Sequence, residues 1–292
     1  MLLSLVVLCR IVANPISNVF QKLLTRHGAH PLFVILLTHA ILSAVCLPTI
    51  LIVHPRLSPT FWWNIAIVAV LTVSGNALLV QAVKLSDLSV LGPVNAYKSI
   101  ISLIPGMLLL GEFPGPLGIA GMGLIVAGSY FIVDKKLAEP RRNVFVRFFT
   151  ERGVQFRFAA MTLAAIEAVF LKKALLASSV LATFSLWAVL GGVASAIAVS
   201  LTSGQDLPRQ RHIASANVQT AGLLALCTGV MQLCTIIVLG GFQVGYALAL
   251  FQTSSLLSVL LGHHVFKEKN ILERLTGSLV MVAGAVLIVL AK

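Results

Sequence analysis

An all-α integral membrane protein of ten transmembrane helices, built as two inverted five-helix repeats, is the fold class this sequence predicts. Three observations predict it. First, 58% of the 292 residues are hydrophobic, only 10% are charged, and mean hydropathy is +1.00. An ordinary soluble domain carries about 25% charged residues, so the composition excludes a soluble enzyme, a disordered chain and a disulfide-stapled secreted module. Second, apolar runs recur at the length that crosses a bilayer. Third, the second half of the chain repeats residues of the first at a constant offset.

A helix crossing the ~30 Å hydrocarbon core needs roughly 20 apolar residues. Ten stretches qualify, at about 2–24, 31–53, 61–84, 87–110, 115–133, 155–176, 180–201, 217–239, 243–265 and 271–291. They are too long for barrel strands and do not alternate. Short turns separate most of them, such as His54–Pro59 and Gly111–Pro116. Span 1 carries no basic residue ahead of its apolar run and no small-residue cleavage site, which argues against a signal peptide. It does carry Arg10, Asn14, Ser17, Asn18 and Gln21, at spacings that place them on one side of a helix. Pro15 frees backbone carbonyls within the same run. This side is expected to line a cavity. His39 of span 2 reads as a packed polar residue, and span 3 contributes Asn76 in mid-membrane. Span 4 carries Asn95, Lys98 and Ser102 at spacings of three and seven, with Tyr97 beside Lys98.

Span 5 brings the glycines. Gly121 and Gly128 are seven apart, as are Gly277 and Gly284 of span 10. Small residues let helix backbones approach closely in lipid, so these spans are expected to pack against neighbours rather than line a cavity. Span 6 holds Glu167, the only acidic residue in mid-membrane, and span 7 a tryptophan, Trp187, suited to close an apolar wall. Thr228, Gln232 and Thr235 share a face of span 8, as do Gln252 and Ser255 on span 9. Isolated hydroxyls usually glue helices together, so only Gln232 and Gln252 rank as site candidates here. The four cysteines lie inside spans and read as small buried hydrophobes; adjacent His263 and His264 do not share a helical face. No phosphate loop, zinc spacing or nucleophile elbow appears, so neither cofactor nor metal is expected.

The repeat is explicit. A shift of 156 carries Ser99, Ser102, Gly106, Glu112, Gly121 and Gly128 onto Ser255, Ser258, Gly262, Glu268, Gly277 and Gly284, and Asn76 onto Gln232. Near the start of each half the shift is 150, so that Glu167 falls on Ser17; the longer loop before span 8 absorbs the difference. The expected organisation is a first five-helix repeat over 1–133, a basic linker over 134–154, and a second repeat over 155–292. An odd number of spans per half reverses its orientation, as in secondary transporters with a midplane site.

The run Leu108-Leu109-Leu110-Gly111-Glu112, then Gly121 and Ala127-Gly128, with a second copy ending in Glu268, Gly277 and Gly284, resembles the EamA-type members of the drug/metabolite transporter superfamily. The resemblance covers the whole chain. It implies a central cavity lined by spans 1–4 and 6–9, with spans 5 and 10 outside. It also implies a secondary transporter, an exporter of a small polar metabolite such as an amino acid. The region Lys98-Ser99 resembles the fourth-helix lysine region of plastid phosphate translocators, which makes a sugar-phosphate or nucleotide-sugar exchanger the alternative. The basic residues those proteins place in helix 9 are absent here, and a carboxylate needs less positive charge than a phosphate. Glu167 resembles the first-helix glutamate of small multidrug resistance proteins, which exchanges protons with substrate; a multidrug exporter is thus a further alternative. A carboxylate removed from water takes up a proton more readily, which suits a proton carrier. Pairing of Glu167 with Lys98 is the competing structural reading.

The sites expected to contact substrate are therefore Arg10, Asn14, Asn18, Asn76, Asn95, Tyr97, Lys98, Gln232 and Gln252, with Glu167 coupling protons. An integral-membrane enzyme would need clustered acids or histidines near one face, and none cluster. A non-transporting scaffold has little reason to keep ionisable groups in hydrocarbon, where each costs several kcal/mol.

Charge sets the topology. Lys and Arg exceed Asp and Glu by 21 to 9. Fifteen of the 21 fall in loops following odd-numbered spans, Arg157, Arg209 and Arg211 among them. Residues 141–157 interleave arginine with phenylalanine, as on an interfacial helix resting on anionic lipid. The basic excess is a topology signal, not a nucleic-acid footprint. The positive-inside rule makes the odd-span loops cytoplasmic and both termini external; the family resemblance implies the reverse. The expected setting is multi-pass in a plasma membrane, a bacterial inner membrane, as monomer or homodimer.

Overall fold

The computed structural model describes residues 2–53, 57–85, 98–131, 151–203, 206–254, 257 and 271–291. These residues form helices α1 (Leu2–Arg26), α2 (Pro31–Val53), α3 (Pro59–Leu85), α4 (Lys98–Leu110), α5 (Pro116–Phe131), α6 (Arg152–Leu176), α7 (Val180–Ser203), α8 (Leu207–Ala216), α9 (Val218–Gly241), α10 (Val244–Gln252) and α11 (Ile271–Leu290). Among the described residues there is no strand. Helices α1, α2, α3, α6, α7 and α9 are each long and apolar enough to cross a membrane; α4, α5 and α11 contain shorter apolar segments. Large apolar side chains such as Leu5, Trp63, Leu108, Leu201 and Leu279 are exposed. A soluble monomer rarely tolerates so much apolar surface, whereas lipid is the natural neighbour for it.

The chain divides into two compact units, neither of which is a sequence half. One comprises Met1–Ala77 with Phe170–Gly240, the other Leu78–Val169 with Gly241–Lys292.

In the first unit, α1 ends in a tight cap. Gly28 adopts φ +89°, Ala29 N–H donates to Leu24 O, and Gly28 N–H donates to Thr25 O. This is the Schellman pattern, which satisfies carbonyls that a helix end leaves without donors. Leu24 and Ala29 then join Val34, Ala221 and Leu224 in one apolar cluster. α2 packs along α7. Gly191 and Gly192 make that approach possible, because a Cβ at either would strike the His39 ring or Ser43 Oγ. His39 is buried there, its Nδ1 3.1 Å from Ala188 O, with its ring 4.6 Å from that of Trp187. α1 runs antiparallel to α9: Arg10 meets Thr235, and seven residues further along α1 Ser17 meets Thr228, seven earlier in α9.

One connection differs from the sequence reading. The stretch before predicted span 8 is not simply a loop; it contains α8, ten residues long. Too few of its residues are apolar to reveal a helix by pattern. It is held from outside instead. Gln210 Oε1 accepts from His30 N–H at 2.7 Å, and Ile213 packs over Gly28. The α1–α2 turn and the α7–α9 connection therefore lie at the same end of this unit.

The second unit is built around α10, every residue of which is buried. α4, α5 and α11 pack on it. α4 ends at Gly111, φ +66°, whose N–H donates to Met107 O. The chain then turns so that Glu112 Oε2 accepts from Val244 N–H at 2.6 Å, capping the start of α10. Tyr246 Oη accepts from Gly115 N–H at 2.8 Å, and its ring fills the space a Cβ on Gly118 would need. The loops after predicted spans 4 and 8 thus meet at one end.

α5 and α11 form a close seam. A Cβ on Gly121 would lie 2.7 Å from Gly284 O, and one on Gly128 would lie 2.6 Å from Gly277 O. Advancing seven residues along α5 retreats seven along α11, so the helices are antiparallel. The sequence expectation that these glycines serve packing agrees with this contact. Arg157, assigned from the sequence to a loop, lies instead within α6, half-buried. It shares a helical face with buried Val154 and Met161, which cluster with Ala82.

Candidate functional site

The polar residues of the first unit converge where α1 faces α9. Arg10 is half-buried, and its Nε–H donates to Thr235 Oγ1 at 3.0 Å. The Thr235 hydroxyl donates in turn to Met231 O at 2.8 Å, one helical turn back. The chain of bonds runs from guanidinium to hydroxyl to backbone, and it fixes the plane of the guanidinium. An arginine carries five N–H donors in a rigid fork; with Nε turned to Thr235, the terminal pair forms the opposite edge. Two turns along, the Ser17 and Thr228 hydroxyls lie 2.8 Å apart. Asn14, half-buried, and Gln232, buried, occupy the level between these rungs. Pro15 sits inside α1 beside Asn14. It offers no N–H to the carbonyl four residues earlier, leaving an extra acceptor at that level.

A single arginine at the centre of a membrane helix costs about 2.5–3.5 kcal/mol on insertion scales. One charge-assisted hydrogen bond offsets about 1.5–3 of this. An ionisable group inside a membrane helix is a candidate for a functional site.

A family model of the "EamA-like transporter family" matches the chain twice, over residues 3–134 and 151–290. The chain belongs to the EamA-like transporter family. It is accordingly a multi-pass membrane protein of a family whose members are transporters. Among 28 matching chains of solved structures, one described as "Crystal structure of protein" aligns with TM-score 0.70 and 17% identity, covering 99% of this chain and 96% of its own. That likeness speaks for the fold. No curated protein matches.

In this EamA-like chain the remaining expected residues are distributed as follows. Asn18 is exposed on α1. Asn76 is half-buried, and its Nδ2–H donates to Thr72 O of its own helix at 2.8 Å. Lys98 opens α4 and Glu167 lies two-thirds along α6; both are half-buried members of the second unit, as is buried Gln252. Asn95 and Tyr97 lie outside the described residues. The structure therefore gathers Arg10, Asn14 and Gln232 in one unit, and places Lys98, Glu167 and Gln252 in the other.

Two hydroxyls, Thr235 and Thr228, carry no stronger mark in the sequence than helix glue. Their signal was present, because both share a face with Gln232. Trp187 was read as an apolar wall, yet its buried indole N–H has no hydrogen-bond acceptor among the described residues.

Proposed function

We propose that this EamA-like transporter is a secondary transporter that exports a small carboxylate-bearing metabolite, of the amino-acid class, by alternating access. The observation that carries the reading is the Arg10–Thr235 pair: a guanidinium oriented by its Nε edge inside an apolar unit. A fork held this way matches the two oxygens of a carboxylate. Asn14 and Gln232, at the adjacent level, suit an amino group or a polar side chain. The ten-span, inverted-repeat architecture is part of the proposal. It draws support from the antiparallel α5–α11 seam and from the meeting of the loops after spans 1 and 7, and after spans 4 and 8. Odd-span loops are assigned to the cytoplasm of a bacterial inner membrane on their charge.

Purified protein in proteoliposomes tests the substrate class. Counterflow with labelled amino acids, organic acids and sugar phosphates should show exchange of a carboxylate substrate that Arg10→Ala abolishes. Exchange of sugar phosphates alone, or undiminished exchange by Arg10→Ala, refutes the reading. Proton coupling is assigned to Glu167. Transport by Glu167→Gln should lose its dependence on an imposed pH gradient while counterflow persists; unchanged coupling removes the assignment.

A further inference from the structure

The α8 helix has a second face that the transport reading does not use. Its inner side, Leu207, Gln210, Ile213 and Ala214, is buried or half-buried against the α1–α2 turn. Its outer side, Pro208, Arg209, Arg211, His212 and Ser215, is exposed throughout. Because α8 docks on the turn that follows α1, exposed Arg26 and His27 belong to the same end of the unit. Three arginines and two histidines thus belong to this end of the unit, with one acid, Asp206, directly preceding α8.

The position of this surface selects its partner. α7 and α9 are both apolar helices of membrane-spanning length. The short connection that contains α8 begins and ends where they leave the hydrocarbon, and so does the end of α1. Ten residues of helix measure about 15 Å, too short to carry the arginines beyond the headgroup layer. Guanidinium groups at that depth meet phosphodiesters, which they bind as forked donors. A soluble protein or nucleic acid would have to displace lipid to reach them.

We infer that α8, with Arg26 and His27, forms a binding site for the headgroup of an anionic phospholipid, distinct from the 141–157 segment that the sequence marks for lipid. The site ties lipid composition to the α1–α2 turn, and through Leu24 and Ala29 to the end of the α1 helix that carries Arg10.

Native mass spectrometry of the full protein in detergent tests this, with phosphatidylglycerol and phosphatidylcholine of matched chains as probes. Each basic side chain near a membrane surface contributes about fivefold in binding. The triple variant Arg26→Gln, Arg209→Gln, Arg211→Gln should therefore retain phosphatidylglycerol at least about tenfold less well, with phosphatidylcholine unchanged. The triple lysine variant, which keeps the charge, should retain most of the preference and controls for misfolding. Equal retention of both lipids by the parent protein, or an undiminished preference in the glutamine variant, overturns the inference. Glycerol phosphate, the headgroup without chains, should not compete; if it does so at equal concentration, the site takes a soluble organophosphate and the lipid assignment fails.

Discussion

A Cβ placed on Gly284 would sit 2.5 Å from Gly121 O, 2.9 Å from Ile125 Cγ1 and 3.0 Å from Ile125 N. Non-bonded carbon needs about 3.5 Å, so α11 must retreat by about 1 Å at this level. Two of the three obstacles are backbone atoms, and no rotamer change removes them. A gap of that size forfeits about a quarter to a half of the dispersion well of each contact along the seam. Overpacking of this kind costs about 1–3 kcal/mol. Against it stands the intrinsic gain of replacing glycine by alanine within a helix, about 0.8–1 kcal/mol. Gly284→Ala should therefore destabilise by about 1 kcal/mol net, or about 2 °C in the midpoint for loss of monodisperse protein on heating in detergent. Gly123 provides the contrast. It lies two residues beyond Gly121 in α5, and a Cβ there meets nothing within 4 Å. Gly123→Ala should be neutral or stabilising. Because Gly121 and Gly284 share one contact, the double alanine variant should cost less than the two singles together. A Gly284→Ala protein as stable as its parent, or a Gly123→Ala protein equally damaged, would refute the seam.

Three further expectations follow from the same contacts. Glu112→Ala removes the acceptor for Val244 N–H at the start of a fully buried helix; it should lower stability by about 1–2 kcal/mol, with Glu112→Gln intermediate in the same thermal assay. Thr235→Val removes the acceptor that orients Arg10 and should raise KM for the proposed carboxylate substrate about tenfold, since a hydrogen bond to a charged group contributes about 1.5–3 kcal/mol; Thr235→Ser should restore it. Cys9 and Cys234 each precede a partner of the Arg10–Thr235 hydrogen bond, so mild oxidation should join them, as read by peptide mass; a Cys9–Cys227 product would mean that α1 and α9 are out of register.

Much of the fold was readable because lipid imposes a local rule. A span announces itself by length and apolarity, and α2 and α7 begin where their patterns predict, at Pro31 and Val180. The glycine seam was readable for a related reason: small residues spaced by seven on repeated helices have few other uses. α8 escaped because what holds it is remote. Gln210 finds its partner 180 residues away at His30. The position of Arg157 escaped because a charge near a predicted boundary reads as loop, whereas Val154 and Met161 on the same face carry the helix past it. The Arg10 site was half readable. Polarity on one face of α1 marked the residue, but its partner lies 225 residues on, and pairing at that distance leaves no periodic trace. The capping role of Glu112 escaped likewise, since the repeat shows that a glutamate recurs and not what it caps.

The seam and the site obey different symmetries. Under the 156-residue shift, Gly121 becomes Gly277 and Gly128 becomes Gly284, so the contacts Gly121–Gly284 and Gly128–Gly277 exchange with one another. The seam is self-complementary, as an interface between identical partners must be. The chemistry is not. Under the 150-residue shift Arg10 falls on Ala160, and Glu167 falls on Ser17. A symmetric frame suits a machine that must present one compartment and then the other by equivalent movements. The proposed substrate has distinct ends, one of them a carboxylate, and two equal hands would not grip it. In the proposed transporter, duplication within one chain meets both needs: backbone-to-backbone contact holds the symmetric frame, while each half is at liberty to give the cargo a different side chain.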